Sequence, residues 1–400
     1  MFYLLSIITA LSKMLHITDI HYDPYYTIGA PTQCVLGDTG LGCCHHFDIP
    51  ISGSTPASKW GDYNCDVSPY FLNETLSWIQ ENEPEIDMIL YTGDSVGHHD
   101  IINIPRVVKR SVSDIFNRMK EYFPDIPIYS NLGNHDTWPI DQTMFIEYNM
   151  LLKDFMHSMN GTLPNDVLTQ FGEGGYYTIL LNKNTRLISF NSIYYDSHNI
   201  FRNEINIQGD YQIRWLRRVL NVSRKRNEKV WFISHIFPTA GETTDAYNKM
   251  MSSLFWEYRD VIRYQWYGHS HNDQFILFQR NGNVYSSGVV TPSLMPDHRF
   301  PAFRVYTYDK DTYTLLDYTQ YKANLTDIQI KDTIHYQKDY TFTTLYSKKG
   351  LETSDYQELH KDIQLDNQTY CTHFTPGRMN CHLDILIHYD VPDKENVELR

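Results

Sequence analysis

Short apolar, β-branched runs recur along the chain with amphipathic stretches between them. The runs are Met14–Thr18, Met88–Thr92, Ile126–Ser130, Leu187–Asn191, Val230–Ser234 and Ile262–Tyr267, each of strand length. Between them, 70–81, 104–122, 142–159 and 211–225 carry apolar residues at three- and four-residue spacing, which predicts helices. This alternation predicts strands inside a layered α/β fold. The segments 174–191 and 274–321 read as β-rich, with turn signals at Asn281-Gly282 and Lys310-Asp311, and predict a second sheet stacked on the first. After about Tyr321 the pattern turns polar and helical, with a helix expected over 346–359. The expected organisation is a leader over 1–12, a main domain over 13–321 and a small C-terminal helical subdomain over 322–400.

Most of the apolar runs end in residues that bind metals. Asp19-Ile20-His21, Gly93-Asp94, Gly133-Asn134-His135-Asp136, Ser234-His235 and Gly268-His269-Ser270-His271 stand in that order, with His98 close behind the second block. Open α/β sheets place ligands at strand C-termini, where loops vary without disturbing the core. Any one of these blocks is weak, since Asp19 and His21 alone suit a loop cap and His235 alone suits a packed core histidine. Together they supply the carboxylate, imidazole and amide groups that two divalent cations about 3.5–4 Å apart need. Such a pair clamps phosphoryl oxygens and generates a nucleophile from water near neutral pH.

Composition narrows the partners. With 34 Lys+Arg against 48 Asp+Glu the formal charge is −14, which repels a nucleic-acid polymer but not one small phosphate at a cation centre. Residues Phe2–Leu11 form an apolar run too short to span a bilayer, followed by small residues around Ala10-Leu11-Ser12 that suit a signal-peptidase cut. Five sequons, at Asn73, Asn160, Asn221, Asn324 and Asn367, agree with a secretory route and with an extracellular or lysosomal destination. Six cysteines suit disulfides in an oxidising compartment, with Cys34–Cys43, Cys44–Cys65 and Cys371–Cys381 the expected pairs. The polar stretch 391–400 argues against a GPI signal or a C-terminal span, and a monomer is expected.

The ordered blocks resemble the calcineurin-like metallophosphoesterases, whose pattern runs D-x-H, G-D, G-N-H-D/E, H and G-H-x-H. The resemblance implies a four-layered metallophosphoesterase β-sandwich flanked by helices, of α/β (α+β) class. It implies that Asp19, His21, Asp94 and His271 hold one metal and that Asp94, Asn134, His235 and His269 hold the other, with Asp94 bridging. It also implies that His135 donates to the phosphate, with Asp136 fixing its tautomer. A histidine four residues beyond the bridging aspartate, here His98, is similar to the acid sphingomyelinase and acid sphingomyelinase-like phosphodiesterase branch, where it protonates the leaving group. The Cys34, Cys43-Cys44 and 60–66 region, Ser234-His235-Ile236-Phe237-Pro238 and Pro301-Ala302-Phe303-Arg304 extend that similarity.

The expected activity is therefore that of a secreted phosphodiesterase using two zinc ions per chain, with iron or manganese in one position left open. The expected substrate is a small phosphodiester or pyrophosphate, of nucleotide or CDP-choline type. Sphingomyelin, a phospholipid, is the alternative, and a non-catalytic binding glycoprotein is the rival of another class. Tyr22, Tyr25, Tyr26, Trp138, Tyr194 and Tyr195 are candidates for stacking a base or caging a quaternary ammonium, against ordinary packing.

Overall fold

The computed structural model of the chain describes residues 11–35, 42–98, 104–143, 146–200, 207–296, 299–365 and 388–390. Strands run over β1 (Leu11–Ile17), β2 (Ile86–Tyr91), β3 (Ile128–Ser130), β4 (Tyr177–Asn182), β5 (Thr185–Phe190), β6 (Lys229–Ser234), β7 (Ile262–Tyr267), β8 (Gln274–Arg280), β9 (Asn283–Val290), β10 (Ala302–Asp309), β11 (Thr314–Ala323), β12 (Tyr336–Thr341) and β13 (His388–Asp390). They form two sheets, ordered β12-β11-β10-β1-β2-β3 and β13-β8-β9-β7-β6-β5-β4. All six runs predicted as strands are strands. β1, β2 and β3 are mutually parallel in the first sheet, and β5, β6 and β7 in the second.

The sheets meet through aromatic residues. Trp266 of β7 lies 6.1 Å from Tyr306 of β10, and Trp231 of β6 lies 6.0 Å from Tyr308. Burying each such ring contributes roughly 1.5–3 kcal/mol. A buried polar chain crosses the same interface. Arg304, fully buried, pairs with Asp273 and donates to Thr291 Oγ1, which meets His16 Nδ1 at 2.7 Å, while His16 Nε2 meets Thr92 Oγ1 at 2.9 Å.

Helices cover the outer faces. In α1 (Pro69–Asn82), Ser68 caps the first turn by accepting from the Phe71 amide, Pro69 occupies the first helical position, and Phe71, Leu72, Leu76 and Ile79 are buried. α2 (Pro105–Tyr122) buries Val108, Val112, Ile115, Phe116 and Met119 at helical spacing. α3 (Ile146–Ser158) and α4 (Asn165–Gly174) follow, then α5 (Ile207–Lys225), α6 (Asp245–Glu257) and α7 (Leu325–Lys331). Among the described residues no helix is long and apolar enough to cross a membrane.

Four expectations need correction. The β-rich segments do not make a sheet of their own: β4, β5, β8 and β9 join β6 and β7, while β10 and β11 pair with β1. Periodicity marks a strand but not its neighbour, because the pairing joins segments distant in the chain. The region after Tyr321 is not wholly helical, because β12 extends the first sheet and turns Tyr336 and Tyr340 inward. The single helix expected over 346–359 is two, α8 (Phe342–Tyr346) and α9 (Thr353–Leu365), separated at Ser347, whose φ is +52°. Leu11 and Ser12 pair with Asp309 and Tyr308, so the expected leader boundary falls inside β1. Residues 1–10, Asn367, Cys371 and Cys381 lie outside the described residues. The pairs Cys34–Cys43 and Cys44–Cys65 are formed as expected.

Phe116 is fully buried between α2 and its neighbours. Phe116→Ala should therefore lower unfolding free energy in urea by about 3–5 kcal/mol. A loss under 1 kcal/mol would contradict this packing.

Candidate metal centre

The loops after β1, β2, β3, β6 and β7 close on one another. Asp19 and His21 donate backbone N–H bonds to the carbonyls of Gly93 and Asp94, Gly268 donates to His235, and the His269 amide donates to Asp19 Oδ1 at 2.9 Å. The turns are tight enough to force left-handed backbone at Asp19 (φ +48°), His21 (+45°), Asp94 (+57°), His269 (+73°) and His271 (+57°). Each costs on the order of 1–2 kcal/mol for an L residue and persists because the surrounding contacts over-determine it. A Cβ on Gly133 would strike the Asp94 carboxylate, which is why glycine precedes Asn134.

These turns aim acceptors at a common centre. His21 donates from Nδ1 to the Val96 carbonyl at 2.8 Å, so its Nε2 carries a lone pair. That Nε2 lies 3.0 Å from His271 Nε2 and 3.4 Å from Asp94 Oδ2. His235 donates from Nδ1 to the Thr92 carbonyl at 2.7 Å, and its Nε2 lies 3.2 Å from the same Asp94 Oδ2 and 3.0 Å from Asn134 Oδ1. His269 directs Nε2 to Glu242 and Nδ1 to Asn134 Oδ1, the latter at 3.0 Å. Asn134 donates from Nδ2 to Asp141, which turns its oxygen inward. Two ligand groups result: Asp19, His21, Asp94 and His271, and Asp94, His235 and His269, with Asn134 beside the second. Lone pairs facing lone pairs in a buried space need a cation between them, and carbonyl or carboxylate partners on the outer ring nitrogens are what metal-binding histidines carry.

A family model described as calcineurin-like phosphoesterase matches residues 12–273, and one described as acid sphingomyelin phosphodiesterase C-terminal region matches residues 284–375. The chain belongs to the calcineurin-like phosphoesterases. It is 32% identical over 375 residues to sphingomyelinase phosphodiesterase C of Dictyostelium discoideum, an alignment covering 88% of this chain and 82% of that protein. It is 28% identical over 389 residues to the cyclic GMP-AMP phosphodiesterase SMPDL3A of Homo sapiens, covering 91% and 82% respectively. A dimetal phosphatase structure from Danio rerio covers 82% of this chain and 98% of its own at 12% identity, with a TM-score of 0.48.

The calcineurin-like phosphoesterase fold implies a dinuclear metal site, and the donors present fit one. Burial and the neighbouring His98 hold His21 well below its usual range, hence neutral. For His235, burial opposes charging, but Asp94 outweighs it and raises the pKa to about 9. A proton there stands in for part of the charge of an ion.

The remaining predicted residues sit around this cage. His135 is half-buried, its ring edge-on to His21 at 4.9 Å, and desolvation lowers its pKa to about 3. His98 stacks on His21 with centroids 4.1 Å apart. Asp136 does not fix the tautomer of His135, contrary to expectation. Its carboxylate accepts from the amides of Gly133, Asp94 and Ser95 at 2.8, 3.0 and 2.8 Å, so it shapes the turn that carries the shared aspartate, while His135 Nδ1 has no hydrogen-bond partner among the described residues.

Three contributors escaped the sequence reading. Asp66 holds His98 through both its backbone amide and Nδ1, at 2.7 and 2.8 Å. Asp141 orients Asn134, and Glu242 orients His269. None lies within a ligand block; the nearest signal is that Asp66 follows Cys65 in the cysteine-rich stretch. Of the candidate aromatics, Tyr22, Tyr194 and Tyr195 are buried, and Tyr194 and Tyr195 donate to the carbonyls of Gly174 and Gly209, so these three serve packing. Tyr25 lies under Arg110, Tyr26 bonds Ser58, and Trp138 packs on Val96, Val108 and Leu151. Asn160 and Asn221 are exposed, whereas Asn73 accepts from Arg118 and Asn324 caps α7.

His235 in the ion-free fold binds its proton up to about pH 9, above the usual 6.5. The stability this gives the ion-free fold is fully present below 6.5 and lost as pH rises through about 9. At pH 7 uptake of a divalent cation must then expel about one proton from this residue. Calorimetry in buffers of different ionisation enthalpy should show that release and its reduction in His235→Ala. Equal proton counts for the two proteins would exclude it.

Proposed function

We propose that this chain hydrolyses phosphodiesters at the centre built around Asp94, with zinc as the metal pair. The observation that carries this reading is Asp94 Oδ2 lying between His21 Nε2 and His235 Nε2, each the head of a separate ligand group. Asp19, His21, Asp94 and His271 would hold one ion, and Asp94, Asn134, His235 and His269 the other. When bound, such a pair polarises phosphoryl oxygens and lowers the pKa of water at the attacking position.

The side chains around the pair supply orientation and protons. His135, kept neutral by burial, donates an N–H to a non-bridging phosphoryl oxygen as charge builds there. His98 delivers a proton to the leaving oxygen from Nε2, because Asp66 engages its Nδ1 and fixes the ring.

The substrate we favour is a small phosphodiester or pyrophosphate, such as a nucleotide or CDP-choline, in line with the SMPDL3A relatives, which are cyclic GMP-AMP phosphodiesterases. Sphingomyelin is the second reading, supported by the Dictyostelium relative and by exposed Val35, Ile49 and Ile51. These three share one side of a short ribbon, where Cys34 pairs with Pro50 and Val35 with Ile49, and offer an apolar surface to a lipid. Disulfides among four cysteines support an oxidising, secretory location.

Turnover of CDP-choline, nucleoside triphosphates, cyclic GMP-AMP and sphingomyelin vesicles, with and without chelator, tests the reading. A metal-loaded protein inert to all four would overturn it. Asp94→Asn should lose the metal pair at this centre together with turnover. His98→Ala should lower kcat about 10²–10⁴-fold on a diester with an alkoxide leaving group and far less on a nitrophenyl ester, which needs no proton. Equal losses on the two would remove His98 from the acid role.

A further inference from the structure

A second group of ligand-type side chains lies beside the centre, outside both of its ligand sets. Asp141 stands in the loop after the Asn134–Asp136 turn, and Asp196 and His198 in the loop after β5. One ligand atom from each of the three falls within 4.8 Å of the others. Asp196 is 1% exposed. Its Oδ1 accepts from the His198 amide at 2.8 Å and meets His198 Nδ1 at 3.1 Å, while its Oδ2 is buried with no hydrogen-bond partner among the described residues. Asp141 spends one oxygen on Asn134 Nδ2. Among the described residues no lysine or arginine forms an ion pair with either carboxylate.

The two loops are tied so that the carboxylates cannot swing apart. Gln142 donates to the His198 carbonyl at 3.1 Å and accepts from the Ile200 amide at 3.0 Å, and Asn199 donates to Thr143 Oγ1 at 2.9 Å. On the other side the Ser197 amide donates to the Glu242 carbonyl at 2.9 Å. A buried carboxylate oxygen without a donor, held beside a second carboxylate, is a costly arrangement that one cation relieves.

We propose that Asp141, Asp196 and His198 bind a third divalent cation. Two carboxylates and one imidazole suit a borderline ion such as zinc or manganese, and the exposed side of His198 leaves room for water to complete its coordination. Because Asp141 also orients Asn134, occupancy of this site steadies the amide that faces His235 and His269. Loading the third site therefore tightens binding at the neighbouring one, and the reverse holds by linkage. The inference needs only the chain's cation chemistry and stands apart from the choice of substrate.

Metal-free protein titrated with zinc, and separately with manganese, then desalted and assayed for bound metal, tests it. Wild-type protein should retain three equivalents per chain, and Asp196→Asn and His198→Ala two. Asp94→Asn should keep the third equivalent while losing turnover, so failure of the hydrolytic reading and failure of this one give different results. His198 is surface-exposed, so His198→Ala decides the matter if Asp196→Asn fails to fold. Two equivalents in wild type and the same count in His198→Ala would overturn the proposal, the result expected if the two carboxyls share a proton instead.

Discussion

One oxygen organises the molecule. Asp94 Oδ2 faces His21 Nε2 at 3.4 Å and His235 Nε2 at 3.2 Å, in a space closed to solvent. Holding a carboxylate there requires the left-handed turn at Asp94, the missing side chain at Gly133 and the three amides gathered by Asp136. Each feature makes little sense alone and is explained by the need to place that oxygen. Parallel strands serve this need, since they deliver one chain end after another to the same edge of a sheet.

The buried polar chain beneath the centre extends the same logic into the core. The Thr92 carbonyl fixes His235, and the Thr92 hydroxyl is held by His16, which meets Thr291 and, through it, Arg304 and Asp273. Asp273 also accepts from the Tyr340 hydroxyl of β12 at 2.6 Å. A continuous set of hydrogen bonds thus runs from the edge strand of the first sheet to a ligand in the second. Such a network is costly if any member is left unpaired, which ties the alignment of the two sheets to the geometry of the cage.

The strands and the ligand blocks were legible in the sequence because both are local. A run such as Val230–Ser234 declares its state within a few residues, and Gly268-His269-Ser270-His271 carries its chemistry in four. Sheet membership was not legible, because β9 and β10 both read as strands while the pairing that puts β9 beside β7 and β10 beside β1 joins segments distant in the chain. The orienting residues were hidden for a related reason. Asp66, Asp141 and Glu242 are ordinary acids in the chain and acquire a role only when a distant loop arrives. Asp136 misled in the opposite way, since adjacency to His135 suggested a side-chain partner where the carboxylate serves backbone amides instead.

The Cys44–Cys65 bridge adjoins this arrangement at one residue. Asp66, which grips His98, follows Cys65 directly, so a covalent link anchors the mount of the proposed proton donor, while the cation ligands hang from strand ends that need no such link. A reductant that opened the bridge would slacken acid delivery and leave the ions in place. The protein would then still bind its substrate yet cleave it slowly, so thiol status in its surroundings separates capture from cleavage.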